Sequence, residues 1–313
     1  MRLPALFPVD PAAIQNGATA GDDLARRLEE GHILFFPKVP FQLPSEPDLD
    51  FLRTDLAKML ALKNISYHPP EDMLSGIKGD RAAKERTRAI LKEHSAHVRG
   101  FLGRVLPRYA EGWSLGKVNW RPIEEHGRPL SRHASNEFIH VDAFPSGATH
   151  GARVLRFFTN VNPSEVRVWR SSGTFQELYE DFRERAGLAA IDGARIAEGP
   201  FARAFSGVLR GVKKLGVPTE LVDTSPYDRA MKKLHDYLKD SDEFQQDARR
   251  HLDLEFPPFT SWAVLTDGVS HACLRGQHAL VNTFYIPLSH AAAPELSPLH
   301  LMRSATAKTR SAA

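Results

Sequence analysis

Cysteine is almost missing from this chain of 313 residues: Cys273 is the single one. That excludes a disulfide framework within the chain and any cysteine-based zinc site. It also permits a reducing compartment. Long hydrophobic runs are missing too. The most apolar stretches, such as Ile33 to Phe36, are far too short to span a bilayer. The opening Met-Arg-Leu-Pro-Ala-Leu-Phe-Pro has neither the apolar run nor the small-residue cleavage site of a secretory signal. A cytoplasmic protein is expected, one that lies on a membrane if it meets one. Nor does either sign of charge dominate: 41 Lys and Arg face 38 Asp and Glu, a net charge of +3, with a pI near 8.9. This balance is too mild for a duplex-DNA binder, so nucleic acid is not expected as a partner. It suits an acidic small molecule or an anionic surface. No internal repeat is visible.

What remains is an ordinary globular composition, 42% hydrophobic and 25% charged. Residues 22–30 pattern as a short amphipathic helix stopped by Gly31, followed by a strand from His32 to Phe36. Residues 45–62 and 80–106 pattern as helices. From about 113 short β-rich segments take over: 113–121, 137–144, 151–161 and 165–170. Helical pattern returns at 174–186 and 227–240, with a basic stretch at 202–214 between. Strands resume at 259–266, 269–274 and 278–286, and the tail after 303 reads as frayed. The order predicts one α+β domain over 1–313. Residues 1–112 form a mainly helical support, 113–173 and 251–290 supply the strands of a β-sandwich, and 174–250 is a helical insertion.

Within the strand-like Phe138–Phe144 lies His140-Val-Asp142. Side chains at i and i+2 of a strand point the same way, so both can face one ion. Two neutral imidazoles and one carboxylate on one face of a metal leave open positions for a bidentate co-substrate and dioxygen, the pattern of a non-haem Fe(II) oxygenase. A second His-x-Asp exists, His251-Leu-Asp253. It follows a charged helical stretch and stands too close to the later histidines for a sandwich to return. The first is therefore preferred; its plain alternative is a polar pair at a strand edge. For the third ligand His271, after the turn Asp267-Gly-Val-Ser270, is preferred over His278, and His150 is a weaker third candidate.

Read together, His140-Val-Asp142 and Gly151-Ala-Arg-Val-Leu-Arg-Phe-Phe-Thr-Asn-Val-Asn-Pro163 resemble the 2-oxoglutarate/Fe(II) dioxygenase superfamily. The wording Phe138-Ile-His-Val-Asp-Ala-Phe-Pro-Ser146 and the stretches 32–40, 113–122, 140–169 and 266–287 resemble the Kdo hydroxylases within it. The resemblance implies a double-stranded β-helix core of jelly-roll or cupin type. It implies Fe(II) held by His140, Asp142 and His271, with 2-oxoglutarate and O2 as co-substrates. Many members of the superfamily hold the far carboxylate of 2-oxoglutarate with an Arg about ten residues after the distal His. Here that region is Leu280-Val-Asn-Thr283 and carries no cation. Arg156 is the expected substitute, with Asn160 and Thr283 completing the co-substrate set. Arg153, three residues away, faces the other side of the strand.

The same resemblance implies a 3-deoxy-D-manno-oct-2-ulosonic acid (Kdo) sugar on lipid A as substrate, hydroxylated at C3 during lipopolysaccharide inner-core synthesis. Its carboxylate and phosphates call for arginines. Arg121 is the first candidate, for either the co-substrate or the Kdo carboxylate, with Arg132 and Arg167 the next for the substrate. The mixed basic and apolar segment 201–214 is either a contact for an anionic membrane surface, on the cytoplasmic face of the inner membrane, or an ordinary solvated helix face. Two rival readings stand: a 2-oxoglutarate dioxygenase for another small molecule or a protein, and a cupin-like metal- or ligand-binding module without oxygen chemistry.

Overall fold

The computed structural model describes residues 5–15, 21–143, 149–188 and 225–311. The basic segment 201–214 and the turn 145–147 lie outside the described residues.

Strand β1 (Leu6–Pro8) pairs in parallel with β2 (Ile33–Phe36). Between them the helix Gly21–Glu29 buries Leu24, Ala25 and Leu28 on one face and sets Asp22 and Asp23 at its positive end. Gly31, at φ +92°, turns the chain out of that helix into β2. The apolar stretch at 45–62 is helical but interrupted. Glu46–Asp50 is α-helical, Phe51–Asp55 makes a π-turn, and Leu56–Lys58 resumes the helix. Two strands absent from the sequence pattern follow, β3 (Ile65–His68) and β4 (Met73–Ser75). Each is too short for alternation to show. Arg81–Val105 is a single 25-residue helix, with the Asp80 carboxylate accepting from Ala83 N at its start.

Strands β5 (Ser114–Arg121), β6 (Arg153–Asn160) and β7 (Arg167–Ser171) come next. After the helices Phe175–Phe182 and Pro226–Asp240, the chain returns as β8 (Leu252–Phe256), β9 (Ser261–Leu265), β10 (Ala272–Arg275) and β11 (Ala279–Ile286). Eight strands form a mixed sheet in the order β1-β2-β9-β6-β11-β5-β3-β4, and three form a second sheet, β10-β7-β8. The fold is α+β. Four strands of the large sheet come from residues 1–112, so that part is less purely helical than its pattern predicts.

The large sheet is covered on both faces. On one side Leu155, Phe157 and Ala263 pack against the helices Gly21–Glu29 and Arg81–Val105 through Leu24, Leu28, Phe101 and Leu102. On the other, Phe158 and Trp262 meet Trp169 and Phe256 of the small sheet, with ring centroids between 3.8 and 5.5 Å. Alternation along β6 therefore sends Leu155 and Phe157 to the helices, and Arg156 and Phe158 between the sheets.

Two expectations need correction. Residues 137–144 are not a strand: within 137–143 only His140 makes a β-bridge, to His271. The neighbouring peptide groups are taken by side chains, as described below, so no ladder extends. The C-terminal tail is not frayed from 303 on, because Pro298–Ser311 is helical, with Leu299 and Met302 buried.

Candidate metal centre

The segment Ile139–Asp142 is held on every side. His140 and His271 face each other as a hydrogen-bonded pair, His140 N to His271 O at 3.1 Å and His271 N to His140 O at 2.8 Å. Asp142 N donates to Thr266 O at 2.8 Å. Gln245 acts as a surrogate strand residue for Ile139. Its amide oxygen accepts from Ile139 N and its amide nitrogen donates to Ile139 O, both at 2.9 Å. His235, from the helix Pro226–Asp240, donates from Nδ1 to Val141 O at 2.8 Å and sets its ring edge-on to His140 at 4.9 Å. A backbone fixed this way aims the His140 and Asp142 side chains without a regular strand.

Three ligand atoms converge, one each from His140, Asp142 and His271, all within 4.8 Å of one another, and all three residues are buried. The tautomers follow from the backbone. His140 Nδ1 donates to Phe138 O at 2.7 Å and His271 Nδ1 to Val269 O at 3.0 Å, so on each ring Nε2 carries the lone pair. Trp169 stacks on His271 at 5.1 Å and fixes its plane. Burial, and then the neighbouring His271, push the His140 imidazole well below its ordinary pKa, so it is neutral. Burial alone would raise the Asp142 carboxyl. Burial is opposed by the charge of Arg156, with Nε 3.1 Å from Asp142 Oδ2, and by His271, Thr266 and His235, which together turn the net shift downward. Asp142 Oδ2 is buried without a hydrogen bond. Two neutral nitrogens and an ionised carboxylate make a donor set that fits a divalent first-row metal.

The triad borders a cavity of about 470 Å³. Arg156 and Arg121 line it, the latter 8% exposed with its guanidinium over the Phe158 ring and Nη1 3.6 Å from Glu125. So do Lys63, His235 and Lys239, which the sequence reading passed over. Lys232, His235, Asp236 and Lys239 recur at helical spacing, a signal that could have found that face. Lys63, in an irregular loop, carries no such signal.

The other sequence candidates fall elsewhere. His278, at φ +56°, stacks on Trp120 and lies outside the three-residue cluster; His150 sits 4.0 Å from Asp228. Asn160 does not reach the cavity. Its Nδ2 donates to Glu165 O and Phe256 O, and its Oδ1 accepts from Asn162 N, so it ties a turn. Thr283 sits beside Arg156 in the β6–β11 register, on the same face of the sheet and next to Gly116 of β5, but it is not among the residues that line the cavity. Arg167 is fully buried, with Nη1 donating to Gly276 O and Nη2 3.6 Å from Glu125, the carboxylate that Arg121 also meets. Arg132 pairs with Asp242 at 2.6 Å and covers Phe138. Arg153 lies on the opposite face of β6, as expected, paired with Asp267 at 2.6 Å.

A buried two-histidine, one-carboxylate cluster beside a cationic cavity, between two sheets, defines a metal-dependent protein that handles anionic ligands. The comparisons narrow the class. The family model for 3-deoxy-D-manno-oct-2-ulosonic acid (Kdo) hydroxylase matches residues 12–309, and the chain belongs to that family. Among solved structures it is similar to the apo form of the Kdo hydroxylase KdoO, described as a non-haem Fe(II) alpha-ketoglutarate-dependent dioxygenase. Identity is 31%, the TM-score 0.76, and coverage 96% of this chain and 95% of the other. The cobalt(II) complex of KdoO matches at 30% and TM-score 0.76, and its complex with alpha-ketoglutarate and Fe(III) at 30% and 0.74, with the same coverage. No curated protein matches by sequence.

Proposed function

We propose that this protein is an Fe(II)- and 2-oxoglutarate-dependent dioxygenase that hydroxylates C3 of a Kdo sugar on Kdo-lipid A, giving the 3-hydroxylated sugar of the lipopolysaccharide inner core. The observation that carries this reading is the converging, buried set His140, Asp142 and His271 at the wall of a cationic cavity, in a member of the Kdo hydroxylase family. Bound Fe(II), with 2-oxoglutarate and O2, supplies the oxidising power that turns a C–H bond into C–OH, with succinate and CO2 as co-products.

The chain's residues supply orientation and shelter. His140 and His271 present Nε2, and Asp142 presents an oxygen that Arg156 keeps ionised. Arg156 and the adjacent Arg121 receive the far carboxylate of 2-oxoglutarate. Asn160 and Arg132 have no part in this reading, because their contacts are made elsewhere; Thr283, beside Arg156, and Arg167, which shares Glu125 with Arg121, support the co-substrate arginines. Phe158, Trp169 and the helix Pro226–Asp240 close the cavity against bulk water. The two sheets serve as a double-stranded β-helix core. The whole chain acts as one dioxygenase domain, with 174–250 inserted at its mouth. No helix among the described residues is long and apolar enough to cross a membrane. A substrate of this kind sets the reaction at the cytoplasmic face of the inner membrane.

The test is direct. Purified protein incubated with Fe(II), 2-oxoglutarate, air and Kdo-lipid A should add one oxygen to the glycolipid and form one succinate per product, read by mass spectrometry. Succinate with no gain of oxygen by the glycolipid would redirect the substrate assignment. Absence of both would end the oxygenase reading.

A further inference from the structure

Most buried cations near the cavity have a carboxylate. Arg153 has Asp267, Arg156 has Asp142, and Arg121 and Arg167 share Glu125. Lys63 and Lys239 have no carboxylate within ion-pair distance among the described residues; Glu125 acts on Lys63, and Asp142 and Asp236 on Lys239, only from further away. Lys239 is 2% exposed. A buried ammonium without a close counter-ion is costly, and a second, partly buried one facing the same cavity adds to the cost.

Both ammonium groups are held in place by the segment 133–136. Lys239 Nζ donates to His133 O at 2.9 Å and to Ser135 O at 2.7 Å. Lys63 Nζ donates to Ala134 O and, at 2.9 Å, to Asn136 Oδ1. An ammonium has three N–H donors, and here two on each lysine are used. Both side chains line the cavity that the triad borders. Burial, reinforced for Lys63 by the charge of Arg121, lowers each lysine to about 8, so each would gain from an anion. Lys239 is among the charges that depress Lys63, which places the two in one electrostatic neighbourhood.

We propose that Lys63 and Lys239 form a carboxylate subsite, separate from Arg156 and Arg121, that takes the C1 carboxylate of the ulosonic acid and thereby turns its C3 toward the metal. This rests on the function proposed above. The chemistry of a 3-deoxy-2-ulosonic acid supports it. The carboxyl carbon and C3 are both bonded to C2, so the carboxylate of the reacting sugar must enter the same cavity as the reacting carbon. The arginines serve the co-substrate, and the lysine pair is the cationic site left for the sugar.

Calorimetric titration of the metal-free chain separates this proposal from the function it rests on. The ligands are the methyl glycoside of Kdo and the same glycoside as its C1 methyl ester. Lys63→Met and Lys239→Met should each weaken binding of the acid by about 10-fold or more and leave the ester unchanged. Equal losses for acid and ester would show that the lysines only hold the segment 133–136, and would overturn the proposal. So would unchanged binding of the acid. A raised KM for 2-oxoglutarate in substrate-free succinate formation, with sugar binding intact, would reassign the pair to the co-substrate and overturn it as well. Lys63 is only partly buried, so its variant keeps the test open if Lys239→Met does not fold. Failure of the parent chain to form succinate, with sugar binding as described, would count against the proposed function and not against the subsite.

Discussion

The chain contains two His-x-Asp sequences, and their fates differ. In the first, His140 and Asp142 are buried, their backbone is tied by His271, Thr266, Gln245 and His235, and their side chains converge with His271. In the second, Asp253 stands on β8 and meets Arg170 in a two-pronged pair at 2.6 and 2.7 Å, with Asp253 45% exposed. His251 lies just before that strand, lowered by partial burial and by the charge of Arg170. Identical spacing thus gives a ligand set in one place and a surface ion pair in the other. The difference lies in what occupies the carboxylate and in which way each imidazole is held. At the first motif a backbone carbonyl fixes each Nδ1 and leaves Nε2 to the metal side. At the second Arg170 grips both carboxylate oxygens, whereas Arg156 reaches only Oδ2 of Asp142.

The sharpest way to break this comparison is to remove a ligand from each motif. His140→Ala or His271→Ala should lower hydroxylation by more than about 100-fold, since even outer-shell partners of a metal cost about 10–100-fold. His251→Ala should stay within about 2-fold of the parent, and initial-rate assays with saturating Fe(II) check both.

A smaller effect is expected one layer out. Gln245→Ala removes both side-chain bonds to Ile139 and should weaken metal binding by about 10-fold, read by equilibrium titration. No equivalent exists behind Asp253, whose neighbours pair as ordinary β-sheet.

The comparison also reaches histidines outside both motifs. His94 is 1% exposed, packs edge-on to Phe41, and is lowered to about 3 by burial and by His97. Its folded pKa lies below its unfolded value of 6.5, so acid protonates the unfolded chain first. Stability is complete above pH 6.5 and is lost as pH falls toward the folded pKa, by about 1 kcal/mol over the first unit. His94→Leu should flatten that slope in thermal unfolding followed against pH, and an unchanged slope would contradict the assignment.

Least of all should follow from Asp253→Ala. Its pair with Arg170 is largely solvent-screened, and its loss should change stability by less than about 1 kcal/mol in denaturant unfolding and leave activity intact.

Much of this was legible in the sequence, and for physical reasons. Helices with one apolar face, such as Gly21–Glu29 and Arg81–Val105, and the long apolar strands β6 and β11 declare themselves by period. The pairing of a His-x-Asp with a distant histidine was also readable, as was the placement of Arg156 and Arg153 on opposite faces of β6. What was hidden depends on side-chain bonds from remote parts of the chain. Residues 137–144 looked like a strand because their apolar pattern suits one. In fact Gln245 and His235, about a hundred positions later, replace the ladder. Asn160 looked like a co-substrate ligand because of its chemical type, but its amide donates to nearby carbonyls. Lys63 was hidden because an irregular loop carries no local sign that a lysine faces a cavity.

The most direct test is equilibrium binding of cobalt(II), followed by calorimetry, to the parent chain, His271→Ala and His251→Ala. One equivalent should bind to the parent and to His251→Ala, and none to His271→Ala at the same concentrations. Full binding by His271→Ala, or its loss in His251→Ala, would contradict the assignment of the metal to the first motif.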